Sequence, residues 1–187
     1  MRLDITHALN LTSTNRLCYK RGQFTNGLLF IKTAQDLLNE EPPKTSLQAE
    51  WGDKAIEAMR LHHQHACICS EIGDFGVSLT HWKTAKQHYD DLSLAGYPGI
   101  KNTDNESYLG GIGNSLNGLG RNKEAISYYL DAFKVVPPDD VDSPYQVNIC
   151  RTRWADGQLD EAAARLCELI KLREIAKGEK DDTSNFV

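Results

Sequence analysis

Residues able to hold a metal or act as a nucleophile concentrate in one place, the run LHHQHACICSE, where His62, His63, His65, Cys67 and Cys69 fall within eight residues. On a helix, His62, His65 and Cys69 share one face, because residues three, four and seven apart lie above one another. Two imidazoles and a thiolate on one face are a plausible start for a zinc site. Such a site still needs a fourth ligand or an open water position, and no HExxH pattern is present. Only His81 and His88, seven apart in the next apolar-periodic segment, extend the set. That is the one route to a metalloenzyme, and no metal site is expected.

A second run, GGIGNSLNGLG, carries Gly110, Gly111, Gly113, Gly118 and Gly120 and has the glycine content of a phosphate loop. It does not follow a strand pattern, and GxxxxGK[ST] is absent from the whole chain. These glycines read instead as close-packing and turn residues, so no nucleotide and no other cofactor is expected. GxSxG is absent too. The carboxylate pairs Asp90-Asp91, Asp139-Asp140 and Asp181-Asp182 sit at expected helix ends and in the tail, where they are solvated.

The elements that must position these residues are helices in a chain of ordinary soluble composition. Apolar residues make up 40% and charged residues 25% of the 187, and the formal charge is −5. A mildly acidic chain without clustered Lys and Arg is a poor fit to nucleic acid. No window approaches the ~18 consecutive apolar residues of a membrane span. The first residues, MRLDITHALNLTSTNRLC, lack an apolar signal-peptide core. Cys18, Cys67, Cys69, Cys150 and Cys167 are odd in number and contain no CxxC pair, so they read as buried free thiols of a cytoplasmic protein.

Internal repetition is the strongest signal. Glu106–Asp139 carries Leu109, Ile112, Gly113 and Leu116, then Gly120, then Ala125, Tyr129 and Ala132, then Pro137. In this spacing the unit resembles one complete tetratricopeptide (TPR) repeat, with packing residues on two helices, a glycine turn between them and a proline at the exit. Similar turns recur at Gly22, Gly73 and Gly157, each followed by a second apolar helical pattern. Their successive spacings of 51, 47 and 37 residues exceed the regular ~34-residue period, which marks an irregular, long-helix array. The resemblance implies an all-α, right-handed TPR-like α-solenoid of about four helical hairpins. The units run over about 4–41, 46–95, 104–138 and 143–177 in a single domain, followed by a flexible polar tail at 178–187. Within them the helices are expected near 4–21, 24–40, 46–72, 75–95, 104–119, 122–136, 143–156 and 159–177. Thr45 with Gln48, Thr103 with Glu106 and Ser143 with Gln146 form capping-box patterns, and Pro144 suits a first helical position.

Registering the second unit on the third places His62, His65 and Cys69 over Leu109, Ile112 and Leu116. That makes them packing or hydrogen-bonding residues rather than metal ligands. In the fourth unit Gln146, Ile149 and Arg153 would face Ala162, Leu166 and Leu169, a wetter interface.

The resemblance also implies where a partner binds. In TPR domains the first helix of each pair lines the inner surface. This projects Arg16, Tyr19 and Lys20 from unit one and Arg60, His63, Cys67 and Ser70 from unit two. Unit three adds Tyr108, Asn114 and Asn117, and unit four adds Val147, Asn148, Arg151 and Trp154. Arginines fork onto carboxylates, asparagines grip a peptide backbone and aromatics supply contact area. The expected function is a non-enzymatic interaction scaffold that binds a protein or peptide segment of acidic character. An enzyme built on the His62–Cys69 cluster and a ligand-sensing regulatory module are the alternatives. A two-carboxylate clamp for chaperone tails does not fit, since Gly110 stands where its lysine belongs. Leu166, Cys167, Ile170, Leu172 and Ile175 put apolar residues on more than one face of the last helix, which suggests a homodimer through an open solenoid end.

Overall fold

The computed structural model describes the backbone of residues 14–39, 48–98, 100, 102–135 and 143–184. Among these residues every regular element is a helix. Residues 14–20 are α1, and Phe24–Asn39, Gln48–Glu71, Phe75–Leu94, Asn102–Gly118, Asn122–Lys134, Pro144–Ala155 and Leu159–Ser184 are α2 to α8. From α2 onward each helix packs on its successor in chain order, and α3 also touches α5. Thr45 and Pro137 of the sequence reading lie outside the described residues.

Four turns set this order. Gly22, Gly73, Gly120 and Gly157 all have left-handed φ, between 69° and 83°. At each, the next amide donates back to the carbonyl five residues earlier: Gln23 to Cys18, Asp74 to Cys69, Arg121 to Leu116 and Gln158 to Arg153, at 2.8–2.9 Å. This is the Schellman closure, which satisfies the last carbonyls of the first helix and needs a residue without Cβ at the turn. Gly96 closes α4 in the same way, with Tyr97 N–H on Leu92 C=O at 3.0 Å.

The third hairpin packs as its spacing predicts. Ile112 and Leu116 of α5 and Ala125, Tyr129 and Ala132 of α6 are all at most 2% exposed, with Leu109 half-buried beside them. Glycine-rich α5 is a receiving surface. Tyr145 lies against Gly110, Trp82 against Gly111, Tyr129 against Gly113 and Phe75 against Gly118. Each glycine costs about 1 kcal/mol of helix propensity relative to alanine, and the close approach of an aromatic ring offsets that cost. A relay of serines ties α3, α4 and α5 together. Ser78 Oγ lies 2.7 Å from Ser70 Oγ and 3.0 Å from Ser115 Oγ, and it donates to Ala66 C=O at 2.9 Å.

Several local expectations change. α5 starts at Asn102, so Thr103 lies inside the helix instead of capping it. Ser143 does occupy the N-cap with Pro144 next to it, yet its hydroxyl makes no capping bond. Gln146 is not free to complete the box, because its Oε1 accepts two bonds from Arg165, at 3.1 and 2.5 Å. α8 continues to Ser184, past the limit expected at 177. Two places after its turn glycine, Leu159 is half exposed, whereas at the same position Phe75 is seated on α5 and Phe24 on the α2–α3 core.

Candidate functional site

The first helices of the hairpins carry two basins. The larger, about 450 Å³, lies among α1, α3 and α5. Its α3 wall is the stripe Ile56, Met59, Arg60, His63, Gln64 and Cys67, spaced by three, four and seven along one helical face. α1 contributes Asn15, Arg16 and Tyr19, and Asp104 and Tyr108 close it from α5, with Ile100 just before. Six residues projected from the sequence therefore meet here: Arg16, Tyr19, Arg60, His63, Cys67 and Tyr108. Tyr108 is nearly buried, so it forms the floor rather than a free contact.

The smaller basin, about 310 Å³, lies between α5 and α7 over Phe75 and Tyr129. Asn114, Asn117, Asn148 and Arg151, all projected from the sequence, line it. Lys20 and Trp154 are exposed and line neither basin. Sequence reasoning missed Asn15, Ile56, Met59, Gln64 and Asp104. Extending the Arg60–His63–Cys67 stripe one turn toward the helix start would have found Ile56 and Met59.

In the larger basin burial decides the ionisation states. Burial pulls the His63 pKa below its ordinary value, and the nearby Asp104 carboxylate only partly offsets this. The ring therefore sits neutral, edge-on to Trp82 and Tyr108 at 4.8 and 5.8 Å between centroids. Burial, with Glu71 nearby, pushes the Cys67 thiol up to about 11. A thiol held there supplies almost no thiolate at neutral pH, and thiolate is the nucleophilic form. Burial likewise takes Cys69 up to about 11. Tyr19 Oη donates to Glu71 Oε1 at 3.2 Å, which braces α1 on α3. Asn15 Nδ2 donates to Gln64 Oε1, a second brace between the same helices.

The smaller basin is an amide cluster. Tyr129 Oη donates to Asn114 Oδ1 at 2.8 Å, and Asn148 Nδ2 donates to the same oxygen at 3.3 Å. Asn117 Nδ2 donates to Thr152 Oγ1 at 2.5 Å. Asn114 and Asn117 carry amide donors and acceptors on successive turns of α5. One donor and one acceptor on successive turns of a helix match the alternation of C=O and N–H along an extended backbone.

The His62–Cys69 run does not form a ligand set. His62 and His65 turn to α4 and Cys69 is buried. Among the described residues no group of three or more His, Cys, Asp or Glu side chains is placed to hold a metal ion. None of the described helices is long and apolar enough to cross a membrane.

No family model matches the chain, and no curated protein matches it. Among solved structures it is similar to aspartyl phosphate phosphatase F from Bacillus subtilis. The TM-score is 0.68 at 15% identity, over 92% of this chain and 42% of that one. The fold is TPR-like. A kinesin light chain of Podosopora anserina with nearly identical TPR-like repeats is also similar, at a TM-score of 0.42 and 11% identity, over 92% of this chain and 97% of that one. A variant of it gives 0.44 and 12%, over 95% and 99%. At such identities the likeness bears on the fold, and this TPR-like chain spans well under half the length of the phosphatase.

Proposed function

We propose that the groove of the first helices binds an extended peptide or protein segment of acidic character, and that the chain is a non-enzymatic adaptor. The observation carrying this reading is the set of side chains that line the two basins. Arg16 and Arg60 in the larger basin and Arg151 beside the Asn114–Asn117–Asn148 amide cluster in the smaller one outnumber the one lining carboxylate, Asp104, and Arg60 also pairs with buried Glu57 at 3.7 Å. Arginine gives a charge-assisted fork for a carboxylate, and the asparagines supply backbone partners. Within this reading Tyr19, Tyr108 and His63 are the apolar and aromatic surface, and Lys20 and Trp154 extend the rim. All five cysteines are free thiols, which supports a reducing, cytoplasmic setting. Ile170, Leu172 and Ile175 are exposed on α8 and supply the face for self-association, which light scattering across a concentration series tests.

An array of equal-length acidic, neutral and basic peptides, probed with the purified chain, tests the groove. Acidic peptides are expected to bind. The double variant Arg16→Glu, Arg151→Glu should bind at least roughly tenfold more weakly, since a charged hydrogen bond contributes about 1.5–3 kcal/mol. Both arginines are exposed, so the melting temperature should not move. Equal binding of basic peptides, or unchanged affinity in the variant, overturns the reading.

A further inference from the structure

The groove leaves unused the four histidines between α3 and α4. They are not scattered: their rings form one continuous stack that alternates between the two helices. His65 lies on His81 with centroids 3.8 Å apart and planes within 20°. His81 is followed by His62 at 5.0 Å and 28°. His62 is followed by His88 at 5.8 Å and 24°. His62 Nδ1 and His81 Nδ1 are 2.8 Å apart, so one carries the proton and the other accepts it. A linear stack does not converge on a point, which is why these rings make no metal site.

The contact depends on neutral imidazole. A doubly protonated His62–His81 pair has two donors and no acceptor, and every further proton places like charges on adjacent rings. Few compensating charges surround the stack. On α4, the N-cap residue Asp74 acts on His65 and Asp91 acts on His88. On α3 the remaining influences are the histidines themselves. α2 packs on another face of α3, through Ile31 and Ala34 against Leu61 and Ile68. Its charged residues Lys32 and Asp36 are exposed and do not act on the rings. From α5, Asp104 acts on His63, outside the stack.

We propose that this stack is an acid-released clasp: neutral imidazoles hold α3 to α4, and acidification opens the second hairpin before the rest of the solenoid. Burial first, then the neighbouring rings, hold His62 down to about 4, and the same two causes hold His65 there against the opposing pull of Asp74. Burial lowers His81 and His88 as well. An opened chain protonates its histidines near the ordinary value of about 6.5. Between about 6.5 and about 4 the open form therefore binds more protons than the closed one. Stability is complete above that window and falls as the pH drops through it. α3 also carries Arg60, His63 and Gln64, so opening would remove one wall of the larger basin. That consequence rests on the proposed groove, whereas the clasp itself does not.

The test is a titration of the intact chain from pH 8 to 4.5 by NMR, following the histidine rings and the backbone amides. The expected result is no separate ring titration near 6.5 for His62 and His65. Amide signals of α3 and α4 should be lost below pH 6 while those of α5 to α7 persist. Denaturant unfolding at pH 7.5, 6.5 and 5.5 gives an independent reading. The folding constant should fall by close to tenfold per pH unit for each proton taken up, and His62→Gln with His81→Gln should flatten that fall. The proposal is overturned by rings that titrate near 6.5 with α3 and α4 intact. Loss of all helices in one step, or an equal pH slope in the double variant, also overturns it. A clasp that opens in a chain binding no peptide at pH 7.5 would remove the groove reading and leave the clasp standing.

Discussion

A methyl group added at Gly111 would enter the ring of Trp82, and neither the α5 backbone nor a buried indole can move aside cheaply. The opposite holds at Gly76 in α4, where the nearest atom to such a methyl is Asp74 Oδ1 at 3.8 Å. The same substitution should then have opposite signs at the two sites. Gly76→Ala removes unfolded-state freedom and should stabilise by about 0.4–1 kcal/mol. Gly111→Ala gains the same term and loses more to overpacking, typically about 1–3 kcal/mol. Urea unfolding of the two variants beside the parent checks the pair, and a stabilised Gly111→Ala would refute the seating of Trp82. The sequence identified the glycines of α5 as close-packing residues but could not name their partners. Trp82 and Tyr145 come from the preceding and following hairpins, so the contact depends on how hairpins stack rather than on any local pattern.

At the scale of elements, the turns were legible because their physics is local. A glycine after an apolar helical stripe, followed by a polar residue, suffices to specify a Schellman closure, and all four anchors adopt it. The packing of α5 on α6 was legible for the same reason. Ala125 is fully buried where the helices cross, so Ala125→Leu should cost about 1–3 kcal/mol. A melt should register this as a drop of roughly 2–4 °C per kcal/mol, and an unchanged midpoint would mean that the two helices cross elsewhere. The capping boxes were less legible. Each pattern assumes that both side chains stay local, and Gln146 is taken by Arg165 from the next helix. The groove shows the same division. Residues on well-registered helices, such as Arg60 and Asn114, fell into a basin, while Lys20 and Trp154 lay in the last turns of their helices and missed it. Asp104, which gives the larger basin its one carboxylate, was obscured because α5 begins two residues before the start expected at 104.

For the molecule as a whole, the distribution of buried residues argues for unequal local stability. One continuous apolar core runs from Ala55 and Met59 in α3 through α4, α5 and α6 to Tyr145 and Ile149 in α7. α2 joins through a separate, smaller cluster of Ile31 and Ala34 with Leu61 and Ile68. α8 buries Ala162 and Leu169, while Ile170, Leu172 and Ile175 stay exposed. In a stacked array each helix is stabilised mainly by its neighbours, so at pH 7.5, above the range in which the histidine stack takes up protons, α4 to α6, covered on both sides, should open only with global unfolding. Native-state hydrogen exchange should therefore find the slowest amides in α4, α5 and α6 and cheaper, local openings in α2 and α8. Two cavity-forming substitutions sharpen the test, since each removes a side chain at most 3% exposed. Ile112→Ala and Leu169→Ala should each cost about 2–5 kcal/mol where the site cannot collapse. Ile112→Ala should lower protection throughout α4 to α6, because it lies in the shared core. Leu169→Ala should lower protection in α8 and the facing turns of α7 alone. If both variants weakened every helix equally, the chain would be one cooperative unit, and hairpin-by-hairpin stacking would not describe its energetics.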